Sequence, residues 1–326
     1  MGACAASALS GQRLSMAVFC DNEVQSMRAL CCLLSAALLA VSPQSLADSS
    51  GPDLASYYDR HMAILNGKAF GWTGSNPPKP MLDGVTQVGV TKDSYLALKT
   101  DGSLLRWTSE ARGAAQVMTG VTSFASGQTG VFAIDAGQVL WHVGSTNTPQ
   151  RVADNVIAAV IGDGADYYIT SDGSLHVKGS AHRGQYGDGR LLATAGFVVT
   201  ASDAVDVKAH TGHAIYLSRT GDVLGTGGNL FGPLSTHGLG DKATKWGKIF
   251  DAAKGVATGA SHSAAIHRDN SLWIWGAGYG TMPRKVLDNV TVVAAGTGDT
   301  IARTADGALW QWEAGKKPRR LQPAAP

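Results

Sequence analysis

GVATGASHSAAIHRDNSLWIWGAGYGTMPRKVLDNV (residues 255–290) and TVVAAGTGDTIARTADGALWQWEAGKKPRRLQ (residues 291–322) follow one pattern. Each opens on a short Val/Ala run ending in Gly, crosses a polar link, and continues in a second apolar run (SAAIHR, TIARTA). A tight turn follows (DNS, DGA), then a Trp-rich run (LWIWG, LWQWE), a loop and a closing segment. Short runs of Val, Ile, Ala and Trp bounded by Gly, Asp and Asn read as antiparallel strands. The turn residues are those that accept positive φ in tight hairpins.

The same turn recurs along the chain at Gly67, Gly102, Gly137, Gly173, Gly221, Asn270 and Gly307, with successive spacings of 35, 35, 36, 48, 49 and 37 residues. A period in this range marks a repeat architecture. Seven units can be framed, at about 53–85, 86–121, 122–156, 157–203, 204–254, 255–290 and 291–323. Four short strands in each of seven units predict an all-β chain, a seven-bladed β-propeller of antiparallel four-stranded blades. A helical reading fails, because no stretch after residue 48 holds a 3.6-residue apolar period for three turns while avoiding Gly. Ring closure is left open: blade one has a poor first strand around 53–58, and the tail PRRLQP is a candidate to complete a neighbouring blade.

The first 47 residues read differently. From Met27 the chain runs MRALCCLLSAALLAVSPQSLA, with Arg28, an apolar stretch from Ala29 to Val41, and small residues at Ser45 and Ala47. That is the pattern of a secretory signal peptide over 27–47, cut after Ala47. The apolar stretch falls short of the about 20 residues a membrane span needs. Residues 1–26 are polar, mixed and unlike an n-region, so Met27 is the expected start. All four cysteines, Cys4, Cys20, Cys31 and Cys32, precede residue 33. The expected mature chain, 48–326, therefore has no disulfide framework and no thiolate metal site. It is expected to be exported, to the periplasm or outside the cell, and to be monomeric without a membrane span. A net charge of +2, with 16% charged residues, provides no broad basic surface for nucleic acid.

Several motif positions recur in phase. Gly259-Ala260-Ser261-His262-Ser263 is followed by Trp275-Gly276; Gly184-Gln185-Tyr186-Gly187-Asp188-Gly189 forms a Gly-rich loop, and Gly227-Gly228-Asn229-Leu230-Phe231-Gly232 matches the start of another. Over roughly 53–323 this resembles the regulator of chromosome condensation repeat family. The resemblance implies a propeller and a role as exchange factor, inhibitor or interaction platform; it is specific for fold and weak for function. The export signal and blade count are also similar to secreted propellers of the β-lactamase-inhibitor type. In those, as the resemblance implies, the channel-end links are rich in aromatics; here they are mostly Asp, Lys, His, Gly and Thr. The third-strand tryptophans Trp72, Trp107, Trp141, Trp273 and Trp310 read as inter-blade packing.

Two regions break the rhythm. The long loops of units four and five carry His182, Arg183, Tyr186, Arg190, Phe231 and His237, with Trp246 outside the repeating tryptophan register. Aromatics and Arg on long loops of a rigid scaffold have the composition of a protein interface, and Trp246 is expected to be exposed there. The links between first and second strands gather at one end of the central channel. They hold Tyr57, Arg60, Asp93, Asp163, Asp166, His210, His213, His262 and Asp299, a mixture suited to a polar ligand or partner loop. The His of the Gly-x-x-His motif reads as support for its turn. His210-Thr211-Gly212-His213 is a weak zinc signal without helical context; Gly-x-Ser-x-Gly elbows and phosphate loops are missing. No catalytic residue, metal or cofactor is therefore expected. The expected function is an exported, non-catalytic scaffold that binds an unidentified protein through its loops. The alternatives are an inhibitor of the β-lactamase-inhibitor type, and a ligand-binding or hydrolytic site at the channel mouth.

Overall fold

The computed structural model describes residues 53–323, apart from 109–112, 147 and 238–239. The expected signal peptide and the preceding extension lie outside the described residues. Twenty-eight strands form seven antiparallel sheets, each of four strands in sequence order. The chain is a seven-bladed propeller, and no helix among the described residues is long and apolar enough to cross a membrane.

Alternation within the strands explains the packing. His262–His267 (HSAAIH) is buried on both sides up to its last residue, as a second strand lying between neighbouring blades must be. Fourth strands such as Gly280–Leu287 (GTMPRKVL) are largely exposed and polar, because they form the rim. First strands line the channel with small residues, among them Ala55, Gly89, Ala125, Ala159, Ala209, Ala257 and Ala294. Small side chains are what seven converging strands can fit around one axis.

The hairpin turns behave as read from the sequence in six units. Gly67, Gly102, Gly173, Gly221, Asn270 and Gly307 all have positive φ. Blade three differs: Gln138, with φ 60°, takes the left-handed position in place of Gly137. Asp135 compensates, its carboxylate accepting hydrogen bonds from the Gly137 and Val139 amides at 2.8 and 3.0 Å.

The tryptophans divide. Trp72 is buried and donates to Gln311 of blade seven at 3.3 Å. Trp273 and Trp275 both pack on Phe250 of blade five, with ring centroids 5.8 and 5.6 Å away. Trp275, noted in the sequence for its Trp-Gly motif and not as a packing residue, is the more deeply buried of the two, and its indole donates to the Pro233 carbonyl at 2.8 Å. Trp141 and Trp310 are half-buried, and their indoles bond Asp135 and Thr304 beside their own turns.

Ring closure uses no exchanged strand. Leu54–Tyr57 is a full first strand of blade one, and Arg319–Arg320 pairs with Trp310 and Gln311 of its own blade seven. The tail therefore completes its own blade. Blades seven and one meet through a core of Leu54, Ala63, Trp72, Val292, Ile301 and Leu309. Arg303 spans the same seam, bonding the Asp53 carboxylate and the Ile64 carbonyl. Because no strand is exchanged across it among the described residues, this seam depends on packing and on side-chain bonds such as those of Arg303. Ile301→Ala is expected to lower unfolding free energy by about 2–5 kcal/mol, measured by denaturant titration. Hydrogen exchange should rise first in 54–57 and 319–320.

Candidate functional site

In a four-stranded antiparallel blade, the first–second and third–fourth links fall on the same end. The channel-mouth links and the two long loops therefore share one face of the propeller, here called the link face, and the Asp-Gly turns occupy the other.

At its centre Tyr57 of blade one reaches across the channel axis. Its hydroxyl donates to Asp163 Oδ1 of blade four at 2.9 Å, and its ring stacks on His210 of blade five with centroids 5.5 Å apart. Thr211 Oγ1 lies 3.4 Å from Asp163 Oδ2, and His210 Nδ1 lies 3.7 Å from it. The channel is thus stoppered at this end, above a cavity of about 220 Å³. Burial, then the Asp163 charge, pushes the Tyr57 phenol well above its ordinary range. Burial holds His210 below its ordinary value, against the pull of Asp163. The Thr211 amide donates to His210 Nδ1 at 2.9 Å, which leaves the imidazole proton on Nε2. That nitrogen is buried and has no hydrogen-bond partner among the described residues.

Three other candidates tie blades together. His213 Nε2 donates to Ser263 Oγ at 3.1 Å; the Ser263 hydroxyl then donates to the Pro233 carbonyl at 2.9 Å. His262 Nε2 bonds Thr300 Oγ1 at 3.0 Å, and Asp299 Oδ2 lies 2.9 Å from His61 Nε2. These positions begin successive second strands, so one register position bonds blade five to six, six to seven, and seven to one. Each imidazole is buried. Of the remaining link residues, Asp93 is exposed, and the Arg60 guanidinium lies over the Tyr95 ring at 5.4 Å. Asp166 is half-buried, opposite Lys178 on the next strand.

The long loops are folded segments. Tyr186 is fully buried, its hydroxyl donating to the Gly179 carbonyl and accepting from the Thr194 amide, each at 3.1 Å. Gly187 and Gly189 pair with the fourth strand of blade five, through Trp246 N to Gly187 O at 2.9 Å and Gly189 N to Thr244 O at 2.7 Å. Trp246 is half-buried and packs edge-on against Tyr216 at 4.9 Å. The expectation of an exposed Trp246 is therefore corrected: it and Tyr186 are the interior of the loop. The signal was in Gly187, whose missing side chain lets the backbone lie on that indole.

Pro233 and buried Leu234 anchor the second loop on blade six, and Asn229 braces it through the Leu234 amide and His237 carbonyl at 3.0 and 3.2 Å. His237 itself bonds the Lys245 carbonyl at 2.8 Å. The loop holds Leu230 and Phe231 outward, 74% and 56% exposed. His182 and Arg183 are exposed on the first loop. Arg190 pairs with Asp188 at 2.6 Å and covers the Tyr186 ring. The two loops flank a cleft of about 410 Å³ lined by His182, Arg183, Gly212, His213, Phe231 and Lys242, among others. Sequence reasoning passed over exposed Leu191, Leu192 and Met282, which also lie on or beside this face. The Leu-Leu pair inside a polar loop was the available signal.

Among the described residues no group of three or more His, Cys, Asp or Glu is placed to hold a metal ion.

No protein-family model matches the chain, and no curated protein matches it in sequence. Solved structures do. Prp20p from Saccharomyces cerevisiae, described with its binding to Gsp1p and histones, superposes with a TM-score of 0.63 at 16% identity over 76% of this chain and 81% of its own. Yeast RCC1 (Prp20) bound to Kap60 gives 0.62 and 16% over 74% and 77%. The tricorn protease gives 0.56 and 11%, over 83% of this chain and 34% of its own. At these identities the likeness shows the fold, and the fold serves both binding proteins and an enzyme.

The buried histidines give the site a pH signature. Burial lowers His262 to about 4 and His213 to about 3 from an ordinary value near 6.5. Between pH 6.5 and 4 the unfolded chain binds more protons than the folded one, so their contribution is present above pH 6.5 and lost on acidification. The stability difference between wild type and His262→Asn is expected to move by about 2–3 kcal/mol against wild type from pH 7 to 4. Asp166, raised by burial to about 6, has the opposite sign. There the folded state holds its proton more tightly, so Asp166→Asn should help more at pH 7 than at pH 4, by about 1–3 kcal/mol. Denaturant titrations of both variants at the two pH values check each sign.

Proposed function

We propose that the protein is an exported, non-catalytic propeller that docks a partner protein on its link face. One observation carries the reading. Of the eight exposed large apolar side chains among the described residues, Tyr58, Leu191, Leu192, Leu230, Phe231 and Met282 lie on or beside that face. The turn face carries short polar Asp-Gly hairpins. Leu230 and Phe231 are presented by a loop braced through Asn229, Pro233 and Leu234, so little ordering entropy is lost when they are covered. A stoppered channel supports the same reading, since Tyr57 and Asp163 close the recess where a propeller could otherwise hold a substrate. Prp20p is described as binding Gsp1p and histones, and that precedent extends here only to the use of a propeller as a docking body.

The partner is expected among exported proteins. Cross-linking of the tagged protein in intact cells, followed by mass spectrometry, should recover it. The double variant Leu230→Ser/Phe231→Ser should reduce recovery by at least about tenfold, as loss of two central anchors does. A turn-face change such as Asp172→Ala should leave it intact. Undiminished recovery with the double variant would count against link-face docking.

Export rests on the 27–47 pattern. Intact mass and N-terminal sequencing of the protein from the cell envelope or medium should give Asp48 as the first residue. A chain retaining 27–47 in the cytoplasm overturns that part.

A further inference from the structure

The cleft between the two long loops has a more specific character than an apolar patch. Arg183 leaves the first loop and lies over blade five, with its stem against Gly212 and Gly228. A Cβ on Gly212 would stand 3.0 Å from its Nη1 and 3.1 Å from its Cδ; one on Gly228 would stand 3.6 Å from Cδ. Bare backbone is therefore what lets the guanidinium settle there. Its only hydrogen bond among the described residues is made by its backbone amide, to Gln185 Oε1 at 2.9 Å, so the five guanidinium donors are unused. Lys242, across the same cleft, likewise has no ion pair among the described residues. Asp241, also on the lining, is exposed and pairs with neither cation. The remaining walls include Leu230, Phe231, Pro233 and the Thr211-Gly212 backbone.

We infer that this cleft binds a carboxylate of the partner polypeptide flanked by a large apolar side chain. The carboxylate would meet the Arg183 fork and Lys242, and the apolar group would cover Phe231 and Leu230. A planar guanidinium whose stem rests on bare glycine backbone matches a carboxylate with two parallel N–H donors. Two cations against one acid leave the pocket net positive, and the apolar wall beside them lowers the local dielectric and strengthens the pairing. The carboxylate is that of an acidic side chain, Glu or Asp, of the partner. The inference rests on the link-face reading and narrows it to one anchor.

The test uses the full purified protein and fluorescence polarisation with three labelled decapeptides in which Phe alternates with Glu, Gln or Lys. The Glu/Phe peptide is expected to bind, with the Gln/Phe and Lys/Phe peptides weaker by about tenfold or more, as loss of a charged hydrogen bond implies. Arg183→Ala should weaken the Glu/Phe peptide to a similar degree, with Arg183→Lys intermediate. Gly212→Val, which displaces the Arg183 stem without removing a charge, should also weaken it, while Lys68→Ala on the far rim should have no effect. Amidating the peptide C-terminus should leave the affinity unchanged; an affinity lost on amidation would place the carboxylate at a chain terminus and overturns the inference. Equal binding of the Glu and Gln peptides, no binding of the Glu/Phe peptide, or indifference to Arg183→Ala overturns the inference. So does tight binding of labelled dextran sulfate in place of the peptide. The cross-linking arm keeps the two readings apart: a partner lost with Leu230→Ser/Phe231→Ser but retained with Arg183→Ala preserves link-face docking and removes the carboxylate anchor.

Discussion

Each blade here is a four-stranded sheet with two faces to cover and too few residues to cover either. Packing of one sheet on the next around a closed ring is therefore the interaction on which the rest depends. Ile215, Leu217 and Leu234 meet Val256, Ala265 and Trp275 between blades five and six; Leu54 and Trp72 meet Ile301 and Leu309 between one and seven. Each buried aliphatic or aromatic contributes about 1.5–3 kcal/mol by transfer out of water. No disulfide can assist, since every cysteine precedes residue 33. The histidines follow from the same constraint. At the start of the second strands a long polar side chain such as His213 or His262 bridges neighbouring blades while remaining neutral. Burial that suppresses their protonation preserves the bridge at neutral pH and makes acid its solvent of failure.

The repeat was legible because it is a backbone requirement imposed at every turn. Only Gly and Asn reach positive φ cheaply, so the hairpins are written into the sequence. Where a local device replaced that residue, as Asp135 does for Gln138, the register slipped by one. The site was legible in outline and not in detail, for a different reason. Tyr186 and Trp246 looked like interface aromatics because composition does not encode direction. Their burial depends on Gly187 and Gly189 pairing with a strand nearly sixty residues further on, a long-range contact that no local window contains. Tyr57 illustrates the same limit. Nothing in LASYYDR states that one of its tyrosines spans the channel to Asp163.

The long loops consequently have two layers. Buried Tyr186, Trp246, Pro233 and Leu234 are a foundation, and Leu230, Phe231, Arg183 and Lys242 stand on it. A rigid foundation matters for recognition because an anchor that is already ordered forfeits little entropy on binding. A second observation supports the proposed non-catalytic role. Catalysis needs a reacting group brought within hydrogen-bond reach of an acid or base of matched pKa. At the channel mouth the candidate groups are already bonded to one another: Tyr57 to Asp163, His213 to Ser263, His262 to Thr300.

A stopper at the axis also changes how the link face can be read by a partner. With an open channel, a partner could insert a loop along the axis and be recognised by residues from all seven blades. With Tyr57 laid across to Asp163, insertion would have to break that hydrogen bond and the stack on His210, uncovering a carboxylate and an imidazole that burial now holds. Those costs push the contact outward, to the sector where the blade spacing lengthens. The asymmetry of the repeat and the closure of its centre thus favour the same place for the proposed docking: blades four to six, where the long loops lie and cations without ion pairs among the described residues border exposed apolar side chains. The side chains at the axis maintain the ring, and those at the lengthened sector are free to be spent on a partner.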